Sequence, residues 1–440
     1  MTPPPPSGAP TPSLGADLRA LLASPRELWL IYAIKLLESI AYFTVYTLLV
    51  IFLSDQHRFS DEAAGSVAGT WLTAISLVVF GAGFVADGIG IRKAMLIAAI
   101  STALGRILLA LSGGTIEAVY LGLLVSVWGI ASLKPTMNAA VRAYSTPATV
   151  SFAFSLYYVV MNLGAVTQGP LVDGFRAWFV APVSLLGHPF SASQLVFLVG
   201  AVFSCVNIGL VLLMREEARP VGETVRRSPL SIAREVTKER AFWWFFLFVV
   251  LLTMVRLIFQ HAHLTWPKYA LRTFGDDFPF ATYWSINPAM VILLTPAVTA
   301  LTRKLPTYQV IVSGAMISSL SVFAMAFSSS VTASVVFIVT LSLGETLWSP
   351  RLYEYTATVA PKGREASYMG LSEVPLFLAK PIAGWMSGWF LANWVPVNGP
   401  RDPQAMWAII GAMTIASPIV MLLSRRWLDR GPGRVPEGTP

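Results

Sequence analysis

Twelve long apolar stretches alternate with short polar joints along nearly the whole chain. They fall at 27–53, 61–86, 92–112, 116–142, 150–175 and 192–214, then at 241–270, 279–302, 308–328, 331–359, 364–395 and 403–425. Each reaches the roughly 20 residues a helix needs to cross the hydrocarbon core. The runs show no period-two alternation, and lipid offers no water to an open backbone, so the pattern predicts helices rather than strands. The joint at 215–240 is the longest and most charged, and it divides the spans into six and six. The expected organisation is a disordered Pro-rich cytoplasmic tail (1–26), a six-helix half (27–214), a cytoplasmic linker (215–240), a second six-helix half (241–426) and a cytoplasmic tail (427–440). Two-half bundles of this kind hold their substrate between the halves, near the midplane.

Composition agrees. Of 440 residues, 55% are hydrophobic and 12% charged, which leaves too little polar surface for a water-soluble chain. The charges sort by side. Arg92, Lys93, Arg142, the linker bases around Arg226 and Arg234, Arg303, Lys304, Lys362, Arg364 and Arg425 share one set of joints. Asp55, Asp61, Glu62, Glu117, Asp276, Asp277 and Asp402 occupy the other. The positive-inside rule then places both termini in the cytoplasm. The net charge of +8 is an affinity for anionic lipid and calls for no nucleic-acid partner. MTPPPPSGAPTPS lacks the basic start and apolar core of a cleaved signal. A single cysteine, Cys205, permits no disulfide within the chain. High Ala, Arg and Pro usage points to a bacterial inner membrane, and one chain holding its own pathway is expected to work as a monomer.

Charges inside the spans carry the chemistry, because an ionisable group in hydrocarbon normally faces a cavity or a partner. The set is Lys35, Glu38, Arg106, Lys134, Arg256, Glu345, Arg351, Glu354, Glu373 and Lys380. Lys35 and Glu38, and likewise Arg351 and Glu354, are three apart and are expected to pair along one helix face. Lys134 and Glu345 have no opposite charge at that spacing, so each is expected to line the central cavity. His261 and His263, at the outer end of the seventh span, read as hydrogen-bonded polar tips. No metal-ligand spacing occurs, and no phosphate-cradling loop. An ion gradient, not a nucleotide, is therefore the expected energy source, with no cofactor. No nucleophile sits beside a base as an enzyme would need.

Several strings narrow the reading. GFVADGIGIRK (Gly83 to Lys93) resembles the loop signature of the major facilitator superfamily, G-x-x-x-D-x-x-G-R-K, with one residue inserted. SLKPTMNAAV in the fourth span, FSLYYVVMNLGA in the fifth, SINP in the eighth and GETLWSP in the tenth resemble signatures of its proton-dependent oligopeptide transporter family. Ala360 to Lys362 and Met369 to Leu371 resemble the exit of its tenth helix. The resemblance runs from about residue 30 to 395 and implies the twelve-helix major facilitator fold. It implies that Asn162, Asn287 and Glu345 hold a peptide's amino end and Lys134 its carboxylate. Amide oxygens and a carboxylate suit an ammonium, and a lysine suits a carboxylate. It implies a gate at Asp87, Arg92 and Lys93, with the two bases facing anionic headgroups.

The first span departs from that family's Glu-x-x-Glu-Arg-Phe-x-Tyr-Tyr. Against KLLESIAYF, only Glu38 and Tyr42 survive; Lys35 and Ser39 replace the first glutamate and the arginine, and Tyr46 a later arginine. That arginine's acidic partner in the seventh span is also missing, where Phe259 and Gln260 stand. Such a paired loss fits a rebuilt site, since losing one member strands the other's charge. Glu38, Tyr42, Tyr46, Lys134, Asn162, Arg256, Asn287 and Glu345 are thus the expected substrate contacts. Glu345 is the leading proton carrier, and Glu38, beside Lys35, a poorer one. The expected function is secondary transport of small peptides or peptide-like zwitterions, with protons as co-substrate. The excess of bases keeps open a facilitator or exchanger of organic anions. A sensor that does not transport would need a signalling module that these loops are too short to house.

Overall fold

A computed structural model describes residues 22–146, 149–185, 187–215, 238, 240–359 and 374–425. The N-terminal tail, nearly all of the linker and the C-terminal tail lie outside the described residues, as do Lys362, Arg364, Glu373 and the strings at 360–362 and 369–371. The side chain of Asp87 does too.

The first half contains α1 (Arg26–His57), α2 (Asp61–Ile89), α3 (Ile91–Ala110), α4 (Ile116–Ala143), α5 (Val150–Trp178) and α6 (Ala192–Leu213). In the second half three spans are each built of two helices: α7 (Arg240–Leu264) with α8 (Trp266–Phe274), α9 (Phe280–Trp284) with α10 (Ile286–Thr302), and α11 (Thr307–Ser321) with α12 (Phe323–Phe327). α13 (Val331–Val359), α14 (Val374–Trp394) and α15 (Pro403–Leu423) complete the twelve spans seen among the described residues. Ten of these spans are long and apolar enough to cross a membrane by composition alone. Leu124, Leu293 and Leu301 stand more than half exposed on the bundle's outside. Their exposure fits a lipid solvent, whereas a patch of this kind on a soluble protein would promote aggregation.

The breaks have local causes. Pro267 is the second residue of α8 and Pro288 the third of α10, and neither can donate to the carbonyl four residues back, so each preceding helix ends within a turn. An antiparallel hairpin of β1 (Val183–Leu185) and β2 (His188–Phe190) joins α5 to α6. The hydropathy pattern does not predict it; its strands are three residues each, too short for period two to register.

The halves meet at the ends of the helices farthest from the two termini. Asp61, at the start of α2, accepts from Lys268 Nζ at 2.7 Å and from both terminal nitrogens of Arg272 at 2.8 Å, all from α8. Lys268 also reaches Ser54, and Arg272 the Val395 carbonyl at 2.6 Å. The reading of Asp61 as an outer-loop acid is corrected here: it is 8% exposed, at the centre of an ion cluster joining the halves. Across the same face Asp173 of α5 accepts the Thr282 N–H at 2.6 Å, and Arg176 donates to the Phe278 and Asp276 carbonyls. Beside these contacts α2 and α14 touch backbone to backbone. A Cβ at Gly65 would lie 2.6 Å from the Gly384 carbonyl oxygen, and one at Gly384 would run into the Gly69 Cα.

Any side chain at Gly384 must therefore separate α2 from α14 on this face. Gly384→Val is expected to cost about 1–3 kcal/mol, as overpacking does. The check is a lowered thermal melting temperature of the purified protein, while Gly174→Val, where a Cβ meets open space, should leave it unchanged.

Candidate functional site

A cavity of about 320 Å³ lies between the two halves, walled by α1, α2, α4 and α5 on one side and by α7, α9, α10, α13 and α14 on the other. Lys35, Glu38, Ser39, Tyr42 and Tyr46 face it along α1, at the spacing of a single helical face. Arg256, Phe259, Gln260 and His263 repeat that pattern on α7. All eight expected substrate contacts line it: Glu38, Tyr42, Tyr46, Lys134, Asn162, Arg256, Asn287 and Glu345.

The acid-binding and amine-binding chemistries come from different elements. Asn287 sits one residue inside α10, where the break at Ser285 turns the chain into the cavity. Its Nδ2 donates to Glu345 Oε2 at 2.9 Å and to Ser342 Oγ at 3.0 Å, so amide and carboxylate form one unit. Ser285 holds the break in place by donating to the Val166 carbonyl of α5 at 2.9 Å. Asn162 donates to the Tyr158 carbonyl at 2.9 Å, leaving its amide oxygen as the acceptor. Lys134, from α4, enters from the opposite half, with Pro135 next in the helix.

Glu38 does not pair with Lys35. Arg106 of α3 takes both its oxygens, at 2.7 and 2.9 Å, and also donates to Ser204 of α6. With Arg106 1% exposed, this is a buried two-bond ion pair tying α1, α3 and α6 together. The expectation of a Lys35–Glu38 bridge followed helical spacing alone; a fork that matches both carboxylate oxygens outcompetes one ammonium. Lys35 instead lies 4.8 Å from the centre of the Tyr157 ring. Arg351 and Glu354 do pair as expected, and Arg351 also reaches Thr302 Oγ1 at 3.2 Å.

The missing arginine–acid pair is replaced by a neutral contact. The Tyr46 hydroxyl donates to Gln260 Oε1, linking α1 to α7 across the cavity. Tyr46 also stacks on His263, with ring centres 4.6 Å apart. Trp284 Nε1 donates to His263 Nε2 at 3.2 Å, which leaves the hydrogen on Nδ1, 2.9 Å from the Phe259 carbonyl oxygen. His263 is therefore a wall of the cavity and more than a polar tip. Spacing carried that signal, since Arg256, Gln260 and His263 stand at i, i+4 and i+7. His261, buried, meets Thr265 Oγ1 at 2.8 Å.

Of the expected gate, Arg92 spends donors on a neighbouring helix end. It donates to the Leu212 carbonyl at 2.7 Å and to Val211 at 3.4 Å, capping the end of α6 beside Arg26, which reaches Leu213 at 2.7 Å. That use is a consequence of the unpaired carbonyls every helix end leaves. Lys93 is exposed, and Asp87 lies in the last turn of α2.

A cavity between two six-helix halves of a multi-pass membrane bundle, apolar over most of its wall but with charged groups from both halves, defines a transport protein. The chain belongs to the Major Facilitator Superfamily, whose family model matches residues 31–379. It is 25% identical over 385 residues to the Multidrug resistance protein MdtH of Photorhabdus laumondii, covering 87% of this chain and 90% of that one. It is also 25% identical over 193 residues to Dipeptide and tripeptide permease A of Pectobacterium carotovorum, 42% of this chain and 35% of the permease. In three dimensions it resembles a POT family transporter crystallised with 5-aminolevulinic acid, at a TM-score of 0.74 and 16% identity, covering 92% of this chain and 97% of the other.

Removing Arg106 leaves Glu38 buried without its counter-charge. Arg106→Ala should lower stability by about 3–5 kcal/mol, while Arg106→Met combined with Glu38→Leu should recover most of that loss. Thermal denaturation of the single and double variants measures both.

Proposed function

We propose that this protein is a secondary transporter of small peptides or peptide-like zwitterions, working by alternating access and driven by protons. The observation that carries the reading is one cavity that holds both acceptors for an ammonium and a donor for a carboxylate. The Asn287–Glu345 unit and the Asn162 amide oxygen offer acceptors to an ammonium, and Lys134 offers a donor to a carboxylate. A volume of about 320 Å³ is at the small end of ligand cavities and fits a substrate of two or three residues better than a larger one. The likeness to a dipeptide and tripeptide permease and to POT family transporters supports the same substrate class.

In this reading the face distant from the termini is shut by the Asp61 cluster and by the crossing of α2 with α14. Substrate exchange takes place from the other face, which the basic joints place in the cytoplasm of a bacterial inner membrane. Glu345 takes the proton. Its carboxylate, unlike that of Glu38, is bonded to an amide and not to an arginine, so protonating it changes how the cavity holds an ammonium. Asp87 and Lys93 act at the turn after α2, and anionic lipid meets the bases. The protein works as a monomer because each chain encloses its own pathway.

A second reading, carriage of organic anions, is favoured by the excess of bases around the cavity. Binding that survives Asn162→Ala but not Lys134→Ala would select it.

Uptake of a labelled di- or tripeptide into liposomes, with and without an inward proton gradient, tests the first reading. Accumulation above equilibrium is expected with the gradient, and Glu345→Gln should abolish it. Full retention of gradient-driven uptake in that variant would remove Glu345 from the coupling step.

A further inference from the structure

One cation on the cavity wall makes no ion pair, and Glu345 faces it only at longer range. Arg256 lies with its guanidinium carbon 4.6 Å from the centre of the Trp348 ring. Its Nε is buried without a hydrogen-bond partner, and among the described residues no carboxylate comes within ion-pairing distance. The other arginines set into the bundle are each met: Arg106 by Glu38, Arg351 by Glu354, Arg272 by Asp61 and Arg176 by Asp173. Trp348 is a fixed platform, fully buried, with its indole N–H donated to Ser318 Oγ at 3.2 Å. The aromatic face holds the guanidinium in place and uses none of its donors. A guanidinium fork held this way is the geometry that takes a carboxylate through two hydrogen bonds.

The acids of the same cavity are already held. Glu38 is matched from behind the wall by Arg106, and Glu345 accepts from the Asn287 amide. A substrate with one ammonium and one carboxylate brings no group for Arg256 beyond those already assigned. A substrate with a second carboxylate does.

We infer that Arg256 receives a side-chain carboxylate of the substrate, so that the transporter selects peptides containing an acidic residue. The inference rests on the peptide reading above and adds to it the class of peptide and the residue that chooses. Glu345 and Trp348 are three apart on α13, so the acceptor of the ammonium and the platform of Arg256 share one helix face. The amine and the acidic side chain of an N-terminal or penultimate residue are separated by a comparable few bonds.

The test is equilibrium binding of alanyl-glutamate, alanyl-glutamine and glutarate to the purified protein, its Arg256→Gln variant and its Arg256→Lys variant. The two dipeptides differ in charge and hardly in shape. The unaltered protein should prefer alanyl-glutamate by about tenfold, the worth of one charge-assisted contact. Arg256→Gln should bring that ratio to about one, and Arg256→Lys, which keeps the charge and loses the fork, should retain part of it. Equal affinity for both dipeptides in the unaltered protein, or a ratio that survives Arg256→Gln, overturns the inference. Failure of the peptide reading looks different: glutarate binds and neither dipeptide does. Arg256 then stands as an anion receptor if glutarate binding falls in Arg256→Gln, and the assignment falls if it does not. A protein that binds none of the three overturns both.

Discussion

Charge inside hydrocarbon must be matched, and much of this bundle follows from that demand. An ion loses the water that would screen it, so it persists only beside an opposite charge, a ring of suitable polarity or a ligand. Arg106 with Glu38 satisfies the rule within one half and joins three helices in doing so. Asp61 with Lys268 and Arg272 satisfies it between halves and shuts one face. Lys35 on Tyr157 satisfies it more weakly, through the face of a ring. Each solution sets the position of a helix as well as the charge of a residue. On the cavity wall Arg256 is met by a ring and keeps a buried Nε without a hydrogen-bond partner.

The two relatives of known name pull in different directions. A multidrug resistance protein aligns along most of the chain, and a peptide permease along less than half of it. The peptide reading proposed above sides with the permease. An amide bonded to a carboxylate at 2.9 Å, with a lysine entering from the opposite helix set, is directional polar chemistry. Three rings of the same cavity, Tyr42, Tyr46 and Trp284, are largely occupied with one another and with His263.

What could be read from the sequence was local or resembled a signature. Helix lengths, the six-and-six division and the placing of Asn162, Asn287 and Glu345 all come from continuous stretches of chain. The Arg351–Glu354 bridge was legible because both members stand on one helix. Glu38 was misassigned to Lys35 for the same reason: spacing along a helix sees only that helix, and Arg106 is 68 residues away. Asp61 looked like a loop charge because its partners lie more than 200 residues on. The polar stripe of Arg256, Gln260 and His263 was visible in principle, but α7 is so apolar overall that three polar positions do not stand out until a cavity faces them.

The crossing of α2 with α14 has a consequence for how the molecule moves. Where Gly65 and Gly69 meet Gly384, main chain rests on main chain, with the Trp385 ring edge beside Gly69. At these three positions parting the helices unseats no side-chain knob, so this part of the joint can slide. Resistance to opening is then concentrated in the Asp61 cluster next to it. A latch made of ions responds to ionic strength and to the charge of nearby lipid, whereas a packed apolar seam responds chiefly to temperature. The pace of the transport cycle should accordingly be set by the electrolyte on the far side of the membrane.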